Sequence, residues 1–441
     1  MRLRMVVSVL ALAVGAAACG DASPDLASMV ADLDLEPIEA TVDADPALVD
    51  LGQALFYDPI LSGNRNISCA TCHHPRFASG DGLSVSIGQG GLGVGTERTM
   101  VDAMLIPRNA TEVFNRGAPD WHVMFWDGRV AVDPAGGFVT PAGDQLPAGL
   151  DNVLAAQAMF PVASAGEMRG NPEDEEIFGE PNEIGEFGDE QYVEIWAALT
   201  DRLVAIPGYV AMFAAAYPDV PVDALGFQHA ANALAAYQAT AFDLTDSPWN
   251  AYLAGEVDAL DEQAAAGAVL FLGEAGCASC HAPPLLTDQA FHSLGVPQIG
   301  PGKDEEAPED LGRGRETGDA GDMYAFRTPS LLNVWVSGPW MHDGAFSDLS
   351  SVIRHHVDPV ASYESYTVDQ AVGPSLQFTD RVRFRDPLLA SVSTELAVVP
   401  ALSADQIDQL IAFLEALTDP AAANLDALVP ASVPSGLPID R

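Results

Sequence analysis

Two short stretches concentrate the chemistry of this chain: Cys69-Ala-Thr-Cys72-His73 and Cys277-Ala-Ser-Cys280-His281. Thiols three positions apart can reach the two vinyl groups on one edge of a porphyrin. The histidine that follows then turns under the ring toward the iron. Cys-x-x-Cys-His is therefore the attachment signature of haem c. A redox dithiol has no use for the histidine, and a four-cysteine zinc site would have to join pairs far apart in sequence. The pattern assigns two covalently bound haem c groups on Cys69, Cys72, Cys277 and Cys280, with His73 and His281 as proximal iron ligands. Two irons have room for two further ligands. The other histidines are His74, His122, His229, His292, His342, His355 and His356, and composition does not choose among them.

The fifth cysteine, Cys19, has a different setting. Arg2 and Arg4 precede an apolar run from Met5 to Ala18, which is too short to span a bilayer as a helix. A basic start, a short apolar stretch and small residues before a break read as a secretory signal over 1–18. Cys19 then sits where bacterial lipoproteins are lipidated, although Ala16 occupies the place of the usual large aliphatic residue. Ordinary signal cleavage with Cys19 incidental is the alternative. The expected location is periplasmic, with a lipid anchor on Cys19, and residues 19–45 read as a flexible tether. No later segment is long and apolar enough to span a membrane.

The chain has 441 residues, 48% of them hydrophobic, so a sizeable core is available. Lys and Arg number 19 against 63 Asp and Glu, a net charge of −44, and Lys303 is the single lysine. That balance excludes a nucleic-acid partner, since phosphate backbones are held by Lys and Arg. It suits solubility in an extracytoplasmic medium, or a field that docks a basic partner.

The elements that must position the haem motifs are mainly helical. Pro46 to Asp58 carries Leu48, Leu51 and Leu55 on one face and stops at Pro59. Tyr192 to Tyr217 reads as two helices broken at Pro207-Gly208. Ala224 to Phe242 has Leu225, Ala231, Leu234 and Tyr237 as its buried side. Ser403 and Gln406 form a capping box for a helix with Ile407, Leu410, Ile411, Leu414 and Leu417 as its stripe. No long alternating strand pattern occurs. Long irregular stretches cover 80–98, 130–149, 170–191 and 300–322, and such loops usually wrap around something. Gly52-Gln-Ala-Leu-Phe56 before the first haem motif is echoed by Gly267-Ala-Val-Leu-Phe271 before the second. Glycine lets a second helix approach and phenylalanine fills the space below. The repeat predicts two related helical domains, each built around a cofactor.

These residues carry a family resemblance. Leu51-Gly-Gln-Ala-Leu-Phe-Tyr-Asp-Pro59, the first haem motif, Pro107-Arg-Asn109, Phe125-Trp-Asp-Gly-Arg129, Glu167-Met168, Arg327-Thr-Pro-Ser-Leu331 and Met341-His-Asp-Gly344 together resemble the bacterial di-haem cytochrome c peroxidases, which include the MauG-type enzymes. The resemblance runs from about Leu51 to Leu417. It implies a mainly α fold of two cytochrome c-like domains with long irregular loops. The organisation it implies is an N-terminal peroxidatic haem domain over 46–245, a C-terminal electron-transfer haem domain over 246–420, and a tail over 421–441. Hydrogen peroxide would be reduced at the first haem with electrons passed through the second.

Several single positions follow from the same resemblance. Gln89, in Ser86-Ile-Gly-Gln89-Gly90, stands where many of these peroxidases carry a histidine that blocks the peroxide site, so the first haem is expected to be open at rest. His122 is the alternative blocking ligand. Glu167 and Gln157 match the distal Glu and Gln of the family, an acid–base group and an oxygen-holding amide. The far ligand of the second haem is Met or Tyr in relatives. Counting from His342 lands here on His356, beside His355, which implies bis-histidine ligation and a lowered potential. Trp126 matches the tryptophan between the haems. Asn109, Ser337 and Pro339 match the ligands of a bridging Ca2+, with Ser337 in place of the usual Thr. The implied partners are a small electron carrier, a cytochrome c or cupredoxin, or a protein side chain oxidised in the manner of MauG, and a second copy in a homodimer. A pure electron-transfer cytochrome is the opposing class.

Overall fold

Proline bounds the first long core helix at both ends, and glycine decides what packs on it. The computed structural model describes residues 25–39, 44–100, 103–373 and 381–440. The signal segment and Cys19 lie outside the described residues. The α-helices are, in chain order, α1 (Leu26–Asp32), α2 (Pro46–Tyr57), α3 (Cys69–Cys72), α4 (Val153–Ala158), α5 (Tyr192–Val204), α6 (Pro207–Ala216) and α7 (Phe227–Ala241). They continue with α8 (Pro248–Leu253), α9 (Glu262–Leu272), α10 (Arg313–Thr317), α11 (Leu349–Val357), α12 (Pro359–Ser365), α13 (Arg381–Ala390) and α14 (Ala404–Ala416). The strands described are only two or three residues long.

The internal repeat is a repeat of helix crossings. A Cβ on Gly52 would lie 1.9 Å from the Ala233 carbonyl oxygen of α7, and one on Gly267 would lie 2.0 Å from the Gln409 carbonyl oxygen of α14. Only glycine permits either approach. Below each crossing the predicted phenylalanine is buried. Phe56 packs on Tyr237 and Phe242, and Phe271 packs on Phe413 with ring centroids 5.1 Å apart. The pairs α2/α7 and α9/α14 are thus equivalent scaffolds, each leading into its own Cys-x-x-Cys-His.

Most helix boundaries agree with the sequence signals. Pro207 opens α6 after α5, and the two helices are bent by 103°. Ser403 and Gln406 cap α14 reciprocally. Helix α7 begins later than expected, so Leu225 precedes it and is half-buried. Among the described residues no single helix is long and apolar enough to cross a membrane.

Two segments outside the expected haem domains, the tether and the tail, make contacts with the rest of the chain. In the predicted tether, α1 buries Leu26 and sets Met29 against Gly273, and Ile38 exchanges hydrogen bonds with Asn250 at 2.7 and 2.9 Å. Its apolar residues are interleaved with small and acidic ones, which hid the amphipathic pattern. The final segment also returns to the N-terminal half. Ser435 Oγ donates to Asp58 at 2.6 Å, and Thr71, inside the first haem motif, donates to Asp440 at 2.6 Å.

Candidate functional site: two cavities with a common wall

Each haem motif opens into its own cavity. The motif residues Cys69, Cys72 and His73 line the N-terminal one, which has about 230 Å³ open to the centre of a water-sized sphere. Cys277, Cys280 and His281 line the C-terminal one, of about 210 Å³ by the same measure. The two histidines are held alike. His73 Nδ1 donates to the Ser79 carbonyl and His281 Nδ1 to the Leu286 carbonyl, both at 3.2 Å. Ser79 and Leu286 both take left-handed backbone angles, which turns each loop back over its imidazole. With Nδ1 donating, Nε2 keeps its lone pair for a metal. Burial lowers both proton affinities, that of His281 to about 4, so both rings are neutral.

In the N-terminal cavity, Gln157 from the end of α4 and Glu167 share the walls with His73. Glu167 sits on a single π-type turn, Ala165–Arg169, capped by Ser164. Such a turn re-aims one side chain and is frequent at functional sites. Burial pushes the Glu167 carboxyl up, against the pull of Arg129 and Lys303. Gln89 does not line this cavity. Its side chain donates to the Met168 carbonyl at 2.5 Å and its backbone N–H to the Gly166 carbonyl at 2.9 Å, so it braces the Glu167 turn. His122 is exposed, turned to the Asp120 carbonyl, and lines neither cavity.

The C-terminal cavity is richer in imidazole, with His281, His292, His342 and His356 in its walls. His356 Nδ1 donates to the Val352 carbonyl of its own helix at 2.8 Å. His355, one residue earlier on α11, points elsewhere. Both its ring nitrogens are engaged, Nδ1 by Ser362 and Nε2 by the Leu294 carbonyl, each at 2.9 Å. His292 pairs with Asp288 at 2.9 Å, which holds it protonated to about pH 10. His342 stacks on Phe326 with centroids 3.5 Å apart. His74 packs on Phe77, and His229 caps the start of α7.

A common wall separates the cavities. Asn109, Thr111, Glu112, Trp126 and Arg327 line both. The wall is stitched from both halves of the chain: Arg327 N–H donates to the Trp126 carbonyl and Asn109 N–H to the His342 carbonyl, both at 2.8 Å. Ser337 and Pro339 lie with Asn109 on the C-terminal side. Arg116 and Arg327 place their guanidinium groups over Trp121 at 4.3 and 5.2 Å.

These features suit a large planar apolar group with an anionic edge. A water needs roughly 10–15 Å³ by this measure and two or more polar partners. Both cavities offer many times that space inside mostly apolar walls. Arg116 Nη1 is buried beside the N-terminal cavity with no partner among the described residues, and a carboxylate on a bound group would satisfy it. The thiols are unpaired. Burial pushes Cys69 up to about 12 and Cys277 to about 11, the opposite of what a redox dithiol requires.

A family model for di-haem cytochrome c peroxidases matches residues 46–258. Methylamine utilization protein MauG of Methylorubrum extorquens is 31% identical over 315 residues, spanning 71% of this chain and 69% of that protein. The chain belongs to the di-haem cytochrome c peroxidase family. As a member of that family it is an oxidoreductase of peroxidase type, with haem c as its prosthetic group. Cytochrome c551 peroxidase of Pseudomonas aeruginosa is likewise 31% identical, over 306 residues, spanning 69% of this chain and 70% of that enzyme. The crystal structure of a MauG-like protein associated with microbial copper homeostasis superposes with a TM-score of 0.60 at 26% identity, covering 90% of this chain and 96% of that one. The mainly helical fold of two cytochrome c-like domains that the family resemblance implied agrees with this di-haem peroxidase fold.

Some site residues had no role in the sequence reading. Arg108, Asp127 and Arg129 lay inside quoted motifs without an assignment. They form a buried ion cluster with Lys303 and Asp310. Lys303 carried one available signal: it is the only lysine in the sequence.

Proposed function

We propose that this di-haem peroxidase reduces hydrogen peroxide in the N-terminal cavity and takes in electrons at the C-terminal one. The supporting observation is the asymmetry of the two cavities. His73 is the one histidine lining the N-terminal cavity, next to Gln157 and Glu167, whereas His281 shares its cavity with His356. Haem c, when bound, supplies the iron that peroxide meets and the store of reducing electrons. Glu167 takes a proton from the incoming peroxide and returns it to the departing oxygen, a role that suits a carboxyl whose proton affinity is raised by burial. Gln157 holds an oxygen through its amide N–H. Trp126, in both cavity walls, lies on the path between them. His73, His281 and His356 are the iron ligands in this reading, with thioether links through Cys69, Cys72, Cys277 and Cys280.

The donor in this reading is a small electron carrier in the periplasm, and Ca2+ binds at Asn109, Ser337 and Pro339. Purified holoenzyme should consume peroxide with a reduced small cytochrome c or cupredoxin as donor. No consumption with either class would overturn the reading. Oxidation of a protein side chain is the second reading. It is favoured by Gln89, which braces the Glu167 turn where a blocking histidine is expected, and by the likeness to MauG. It requires a peroxide-dependent mass change in a partner protein with no carrier turnover.

A further inference from the structure

Resting on the reading that electrons enter at the second haem, we propose that the C-terminal tail is a strap that selects the haem a donor reaches. It closes the outer face of the first haem motif and leaves the corresponding face of the second open to a small electron carrier. Residues 425–440, expected only as part of a tail, run back across the N-terminal half. Gln53 of α2 donates to the Leu428 carbonyl at 3.0 Å, and a Cβ on Gly208, at the start of α6, would lie 3.0 Å from Pro434. Leu425, Val433 and Leu437 are buried in the main core.

Two hydroxyl–carboxylate bonds latch the strap. Ser435 Oγ donates to Asp58 Oδ1 at 2.6 Å, and the Ser435 backbone N–H donates to Asp58 Oδ2 at 3.3 Å. Asp58 is fully buried at the end of α2 and also accepts from the Tyr209 hydroxyl at 2.6 Å. At the far end of the strap, Thr71 Oγ1 donates to Asp440 Oδ2 at 2.6 Å. Hydrogen bonds to an ionised carboxylate at this length are stronger than neutral ones.

The internal repeat supplies the comparison. Thr71 and Ser279 hold the same place, immediately before the second cysteine of each haem motif. Ala70 and Thr71 are fully buried, and the Thr71 hydroxyl is taken by the strap. Ala278 is half-buried and Ser279 is exposed, its hydroxyl turned back to the Gly276 carbonyl of its own loop at 2.7 Å. Charge does not separate the two faces. No Lys or Arg stands between Arg202 and Lys303, and exposed Glu274 lies beside the second motif, which favours a carrier with a basic face. The strap is acidic too, with Asp426 and Asp440, and Arg76 stands 3.9 Å from Asp426. The cover is what differs.

Reducing one peroxide to two waters takes two electrons and two protons, and a small carrier gives its electrons singly. Electron transfer falls steeply with distance. A donor held off the first motif by the strap therefore delivers through the second, and the oxidised peroxide site is kept from bystander donors.

The test uses holoenzyme carrying Ser435→Ala and Asp440→Ala together, with Asp440→Asn, which keeps an oxygen acceptor, as the conservative variant. Amide exchange over residues 425–440 should rise in the double variant and stay at the wild-type level in Asp440→Asn. Hydroxyl-radical footprinting then reads the haem thioethers through sulfoxide formation on the two haem peptides. In the wild type the sulfurs of Cys277 and Cys280 should be oxidised and those of Cys69 and Cys72 protected. In the double variant both pairs should be oxidised. Ser279→Lys, which puts a cation on the open face, should raise KM for a basic small cytochrome c, and the rise should be lost once the strap is released. A strap that stays protected in the double variant would overturn the proposal. So would equal oxidation of both pairs in the wild type, a released strap with Cys69 and Cys72 still protected, or an equal rise in KM in both backgrounds. If the footprints shift as expected but the wild type takes no electrons from the carrier, the electron-entry reading fails and the shielding by the strap stands.

Discussion

The indole of Trp126 donates its Nε1–H to the carbonyl of Asn109 at 3.1 Å, and both residues line both cavities. In the proposed function an electron crosses this shared wall, and the pair stands in it. Trp126→Phe keeps a ring in the wall and removes the donor. The variant should bind both haems and react with peroxide in a single turnover, while steady-state reduction with a carrier slows. Equal steady-state rates for wild type and Trp126→Phe would make the indole a packing residue only.

Each chain should carry two covalent haems. The paired motifs, the matched Nδ1–carbonyl bonds of His73 and His281, and the unpaired thiols all call for this. Denaturing mass spectrometry should show the polypeptide plus two haem masses. Release of either haem by acid acetone would contradict it.

Glu167→Gln should slow peroxide cleavage by on the order of 10²–10⁴ while leaving haem content unchanged. The substitution keeps the shape of the π-type turn and removes the proton shuttle. Unchanged rapid-mixing kinetics would take Glu167 out of the mechanism.

The sequence showed the fold where its signal was local and periodic. Gly52 and Gly267, each four residues ahead of the phenylalanine that fills its crossing, were legible because glycine on a helix face has few other uses. The cavities' ligands were legible where chemistry fixes the spacing, as in Cys-x-x-Cys-His. What stayed hidden depends on contacts distant in sequence. Lys303 meets Asp127 from the other half of the chain, and Asp440 meets Thr71 from the far terminus. Nothing in the residues flanking either partner announces such a meeting. The fold of α1 was missed for a different reason: Leu26, Met29 and Val30 in a stretch of small and acidic residues resemble a solvated linker until a partner helix is present.

The oxidised enzyme should react with peroxide without a priming electron. Gln89 is directed to the Met168 carbonyl and His122 is exposed outside the cavity, so neither residue stands over His73. Stopped-flow mixing of fully oxidised protein with peroxide should give a fast spectral change. Reaction only after half-reduction would mean that another group closes the site.

The last expectation concerns α11, where adjacent histidines face different surroundings. Neighbours on a helix point about 100° apart, so only one of them can face a given cavity. His356 lines the C-terminal cavity and spends Nδ1 on Val352, which leaves Nε2 available. His355 is fully buried between Ser362 and Leu294 with both nitrogens engaged, and burial drops its proton affinity to about 3. His356→Ala should therefore turn the second haem from low spin to high spin. His355→Ala should leave the spectrum intact and instead cost about 1–3 kcal/mol of stability, because the Leu294 carbonyl and Ser362 hydroxyl lose their buried partner. A high-spin signal in His355→Ala would place the ligand one residue earlier. A low-spin spectrum retained in His356→Ala would point to Met341, which lines the same cavity, and would predict a raised rather than a lowered potential for this haem.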